Sequence, residues 1–165
     1  MKQNRPEVPR YKMQNFRSAH RHSGDPSTFG HNQPDPDKAV AGFQIYSSEG
    51  LLPVTGPLKS EFYRLSITVT GSLDMQIGLD HYQHQPRTLA FTFPNQIFSK
   101  HHASDDASGY YLLFDADFLN DLVPSIRIGE EFPFYDLFGT PVFQVSGDEL
   151  SRVLSLVMDI DHEVQ

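Results

Sequence analysis

The chain has no cysteine among its 165 residues, which excludes disulfides, thiolate zinc sites and cysteine nucleophiles. Basic residues are scarce, 13 Lys and Arg against 21 Asp and Glu, giving a formal net charge of -8 and a pI near 5.3. A duplex-binding surface needs clustered cations to neutralise phosphates, so direct contact of these residues with DNA is not expected. Long apolar runs are also missing. No stretch approaches the length that spans a bilayer, and Met1 is followed by Lys2, Arg5 and Arg10 without the apolar centre of a secretory signal. A soluble cytoplasmic protein with no membrane partner is expected. The hydrophobic content of 38% and aromatic content of 12% suffice for one core, hence one domain.

The clearest pattern lies between residues 61 and 99. Tyr63, Leu65, Ile67 and Val69 alternate with Arg64, Ser66, Thr68 and Thr70; after Gly71 and Ser72 the rhythm resumes as Leu73, Met75, Ile77 and Leu79. Side chains two apart share a strand face, so the pattern predicts strands with one apolar and one polar face, joined as a hairpin at Gly71-Ser72. From Ala41 to about Val145 such segments are punctuated by Glu49-Gly50, Pro53, Gly56-Pro57, Gly71, Pro86, Pro94-Asn95 and Gly109. That spacing predicts a β-sandwich or barrel over residues 41–145.

On either side the character changes. Residues 1–40 are polar and rich in Pro and His, and are expected to form an arm or long loop on which Val8, Tyr11, Met13 and Phe16 dock locally. Asp115 is placed to cap a short helix carrying Phe118, Leu119 and Leu122, stopped by Pro124, before a mixed stretch with Phe132, Phe134, Tyr135, Leu137 and Phe138. Ser146 and Glu149 form a capping box for a helix over 146–165, in which Leu150, Val153, Leu154, Val157, Ile160 and Val164 recur at helical spacing. This helix is still amphipathic at Gln165, without a Gly, Asn or Pro stop, which suggests that the natural polypeptide continues or that the stripe meets a partner.

The runs EFYRLSITVTGS, QPRTLAFTFPNQIFS and GYYLLFDADFL resemble the N-terminal sensor domain of AraC/XylS-type transcription regulators, a small cupin-like (jelly-roll) β-barrel followed by helices. The likeness covers roughly residues 41–165 and rests on the order and spacing of Glu61-Phe62-Tyr63, Pro86-Arg87, the Pro94–Ser99 segment, Gly109–Phe114 and Asp117-Phe118-Leu119. It implies a mainly β fold, a small-molecule effector in the barrel, a homodimer through the C-terminal helix, and DNA contact only through a helix-turn-helix domain absent from this chain. The resemblance also implies a switch in which the arm closes over the effector and shifts the arrangement of the terminal helices.

The departures from metal-binding cupins are informative. Their two clustered His, their Glu and their later His fall here on Leu58, Ser60, Arg64 and Phe98, none of which offers an imidazole or carboxylate to a metal. No cofactor and no enzymatic activity are therefore expected, a cupin enzyme or a sugar-binding barrel without regulatory role being the alternative. The pairs His20/His22, His81/His84 and His101/His102 are read as solvated loop residues. In the family's register Ser60, Phe62, Arg64, Ser66 and Thr68 line the cavity, with Phe91, Phe93, Tyr110 and Tyr111 as walls. Arg64 would hold a carboxylate or phosphate by paired hydrogen bonds, so the effector is expected to be anionic or sugar-like.

Overall fold

The computed structural model describes residues 6–122 and 141–165. Pro124 and the stretch from Phe132 to Phe138 lie outside the described residues. The strands are β1 Arg10–Tyr11, β2 Phe43–Ser47, β3 Thr55–Ser60, β4 Tyr63–Thr70, β5 Leu73–Ile77, β6 Asp80–His84, β7 Thr88–Thr92, β8 Ile97–Ala103, β9 Ser108–Phe114 and β10 Val142–Gln144. The helices are α1 Met13–His20, α2 Ala116–Leu122 and α3 Gly147–Val164, with one 3-10 turn at Pro36–Lys38.

Eight of the strands form two interleaved four-stranded sets, β2-β9-β4-β7 and β3-β8-β5-β6, with β10 added beside β7 and β1 beside β3. Consecutive strands of these eight pass between two facing sheets except at the β5–β6 hairpin, which is the topology of a jelly roll, so the mainly β class expected from the alternating segments holds. One local expectation does not. The turn at Gly71-Ser72 closes no hairpin: β4 pairs with β7 and β9 in one sheet, while β5 pairs with β6 and β8 in the other. A two-residue turn marks a change of direction, but a jelly roll uses it to pass between layers.

The pleat of β4 assigns its faces. Arg64, Ser66 and Thr68 are buried toward the facing sheet, whereas Leu65, Ile67 and Val69 point outward and pack with Leu150, Val153 and Val157 of α3. The usual rule of apolar-in is thus reversed because α3 covers the outer face. Burying that stripe stabilises an 18-residue helix that propensity alone would leave marginal. Ser146 accepts a hydrogen bond from the Glu149 amide at 3.1 Å and the Glu149 carboxylate accepts one from the Ser146 amide at 2.8 Å, as the capping box predicts. Asp115 likewise caps α2 by accepting from the Phe118 amide at 2.8 Å.

The polar segment before residue 41 lies against the barrel from Arg10 onward. β1 runs parallel to β3, and α1 seats Phe16 in the interior, 5.0 Å from the Phe62 ring. Beyond α1, Arg21, Asp25 and Asn32 are buried by hydrogen bonds rather than by apolar area. Arg21 donates to the Ser47 and Glu49 carbonyls and pairs with Asp25, while Asn32 exchanges hydrogen bonds with the Ser47 amide and hydroxyl.

Candidate functional site

Most of the space between the sheets is filled by Phe16, Tyr46, Leu58, Phe62, Met75, Phe98 and their neighbours. A cavity of about 160 Å³ remains, walled by Arg64 and Ser66 of β4, Leu73 and Met75 of β5, Lys100 of β8 and Tyr111 of β9. Its mouth is bordered by Ser48, Pro53, Ser104 and Ser108. A larger groove of about 590 Å³ runs between α1 and the start of β2, but of its charged groups, Lys12, Glu61 and Asp117 are exposed and Asp115 is engaged in capping α2. The interior cavity is the candidate site because Arg64, Ser66 and Lys100 in its wall are shielded from water.

Its electrostatics are one-sided. Arg64 is 5% exposed and Lys100 is 3% exposed, and neither meets a carboxylate among the described residues, whose one ion pair is Arg21–Asp25. The Arg64 guanidinium lies 4.4 Å from the centre of the Phe98 ring and 4.8 Å from that of Tyr111, and its Nε is buried without a hydrogen-bond partner. Lys100 donates to the Leu52 carbonyl at 2.5 Å. Burial, and then the repulsion of Arg64, lower the Lys100 ammonium to about 8; burial lowers Arg64 itself to about 10. An unpaired ion in such a place costs several kcal/mol even after relaxation, and contact with aromatic faces offsets only part of that.

Two histidines flank these cations and are neutral for the same reason. His84 is fully buried with both ring nitrogens unpartnered, and is held at about 4 by burial and then by Arg64. His20, fully buried and stacked on Phe16, is held at about 2 by burial, then by Arg64 and Arg21. Its Nδ1 is 2.8 Å from the Tyr111 hydroxyl, which also accepts from Arg21 at 2.6 Å. Arg21 can only donate, so the Tyr111 proton is free to be donated to Nδ1 of neutral His20. Tyr111 therefore touches the cavity with its ring and the N-terminal segment with its hydroxyl.

Of the residues expected at the site, Arg64, Ser66, Tyr110 and Tyr111 border this cavity. Ser60 and Phe62 are buried nearer the α1 end, where the Ser60 hydroxyl donates to the Phe62 carbonyl at 2.9 Å. Phe91 and Phe93 belong to the opposite face of the sheet: Phe91 stacks on Phe143 at 5.8 Å and Phe93 meets the outward ring of Tyr63 at 6.3 Å. The Tyr110 ring also leaves that way, toward Phe29 at 5.1 Å. The register explains this, since Phe91 is paired with Leu65 and Tyr110 with Ile67, both outward residues.

Lys100 was not anticipated, though the signal existed: it stands two residues after inward Phe98 and so shares its face. The reading of the His pairs as solvated loop residues fails for His20 and His84, which are interior, and His81 and His84 belong to strand β6 rather than to a turn. His22, His81, His101 and His102 are exposed. Three of the four positions registered on a cupin metal site come together here as a cation and its packing: Leu58 pairs with Phe98, and Arg64 lies over the Phe98 ring, while the Ser60 hydroxyl is turned to the Phe62 carbonyl. Among the described residues no three His, Asp or Glu side chains converge as metal ligands.

No family model and no curated protein matches this chain. Among solved structures it is similar to a Cupin 2 conserved barrel domain protein from Salinispora arenicola CNS-205, at 15% identity, over 57% of this chain and 80% of that one, with a TM-score of 0.42. It is also similar to the plu4264 protein from Photorhabdus luminescens, at 18% identity, over 55% of this chain and 94% of that one, with a TM-score of 0.32. The assignment of a jelly roll stands on the strand order itself. No helix of the described residues is long and apolar enough to cross a membrane.

Proposed function

We propose that this chain is a non-enzymatic sensor domain that binds a small organic molecule between its sheets and relays occupancy to α3. In this reading it is the effector-binding and dimerising half of an AraC/XylS-type regulator, cytoplasmic, with DNA contact left to a helix-turn-helix domain outside these residues. The observation that carries the reading is Tyr111, whose ring borders the cavity while its hydroxyl is bonded to Arg21 and His20.

From Arg21 the chain of contacts continues through Asp25 and the following loop to Gly30, whose amide donates to Asp161 of α3 at 2.6 Å. A ligand that moves Tyr111 thereby changes what holds the end of α3. Dimerisation would use the side of α3 turned away from the barrel, where Leu156 is 62% exposed.

Hydrogen exchange on the protein with and without a ligand that raises its melting temperature tests the relay. Slower exchange at residues 20–33 and 158–165 on binding is expected. A ligand that protects only the strands around the cavity would reduce the protein to a simple binding barrel.

A further inference from the structure

We propose that the cavity takes a small organic acid, its carboxylate held jointly by Arg64 and Lys100 and its apolar body lying against Leu73, Met75 and the Tyr111 ring. This deepens the sensor reading and rests on it only in taking the same cavity as the binding site. The chain as a whole is acidic, at a formal charge of -8, yet the interior carries two cations with no acidic partner among the described residues. A fold that needed only packing at positions 64 and 100 would be served by apolar side chains of similar volume.

The two cations come from facing sheets, β4 and β8, so a group bound between them is gripped from both sides. A carboxylate offers two oxygens with about four acceptor sites, enough for a guanidinium and an ammonium at once. A neutral sugar would leave both charges uncompensated. Inorganic phosphate would satisfy the charges but leave Leu73 and Met75 without a partner. The volume of about 160 Å³ admits only a small guest. Lys100, lowered only to about 8, keeps most of its charge at neutral pH and regains basicity beside an anion.

The test pairs each acid with its neutral amide. Thermal melts of the full chain are recorded with hexanoate, hexanamide, cyclohexanecarboxylate, cyclohexanecarboxamide and inorganic phosphate, at constant ionic strength, for wild type, Lys100→Met and Arg64→Met. The acids are expected to stabilise the wild type at concentrations at least about tenfold below those of their amides, the loss of a charge-assisted hydrogen bond setting that ratio. Lys100→Met is expected to melt no lower than wild type without ligand, and to lose the preference for acids. Arg64→Met removes a guanidinium packed between two rings and is the less secure variant for folding, so Lys100→Met decides. Amides acting as well as acids, phosphate matching hexanoate, or a Lys100→Met protein that keeps the acid preference would each overturn the organic-acid assignment and leave the sensor reading standing. No shift from any compound overturns the assignment; if Lys100→Met then also melts lower than wild type, the cations are structural and the sensor reading falls with it.

Discussion

Asp161, in the last turn of α3, accepts a 2.6 Å hydrogen bond from the amide of Gly30, 131 residues earlier in the chain. Gln165 adds a bond to the Thr28 carbonyl at 3.0 Å and accepts one from Lys38 at 2.6 Å, so the end of the helix and the segment after α1 hold each other. Asp161→Ala is expected to cost about 1–2 kcal/mol, as for a partly exposed charge-assisted bond, and to speed amide exchange at residues 27–33. Unchanged exchange there would show that the two elements are independent.

Acid should weaken the fold through its buried histidines. His84 and His20 are held at about 4 and about 2, below the 6.5 of a free histidine, by burial first and Arg64 second, with Asp74 acting weakly the other way on His84. Between pH 6.5 and 4 the unfolded chain therefore binds protons that the folded chain does not, and stability rises with pH across that window. The contribution is complete above pH 6.5 and is lost as pH falls, on the order of 3 kcal/mol for His84 alone. Urea midpoints at pH 7 and pH 4.5 measure it. The difference is expected to shrink in His84→Gln, with His20 and His31, the latter also lowered by burial, supplying what remains; an identical drop in both proteins would contradict the assignment.

Gly109 stands where β9 pairs with β4 beside the cavity, and a Cβ there would collide with the Ile67 carbonyl oxygen. Gly109→Ala must push the two strands apart and is expected to cost about 3 kcal/mol or to prevent folding. Gly147 opens α3 with nothing within 4 Å of an added Cβ. Gly147→Ala is expected to be neutral or to stabilise by about 0.5–1 kcal/mol, since alanine restricts the unfolded chain. Chemical denaturation of the two variants side by side separates crowding from chain entropy.

Ser146→Ala removes the side chain that accepts from the Glu149 amide. The expected loss is about 1 kcal/mol, read from urea unfolding, with the first turn of α3 fraying in hydrogen exchange. Ser146→Asp, which restores an acceptor at the helix N-terminus, should recover it.

Several features are legible in the sequence alone. The alternation in β4 put Arg64 and Ser66 on one face and Leu65 and Ile67 on the other, and the pleat obeys it. Ser146 and Glu149 announced α3, and Asp115 announced α2. The turn at Pro86-Arg87 was also visible, although Arg87 takes a φ of 68° that glycine adopts more readily. Residues 6–40 were harder. Their composition argued against burial because it counts apolar area, whereas Arg21 and Asn32 are buried by hydrogen bonds to Ser47 and Glu49, partners more than a dozen residues away.

Local periodicity thus told which side chains share a strand face, because a pleat repeats every two residues whatever lies around it. It could not tell which strands face one another, so Phe91 and Phe93 looked as suited to the cavity as Tyr111, and Lys100 passed unnoticed beside two exposed histidines. Pairing of β4 with β7 and β9, and the packing of that sheet over β8 and β5, put Arg64 and Lys100 into one buried space. Charge repulsion and desolvation act through space rather than along the chain, so the character of that cavity came only with the closing of the two sheets.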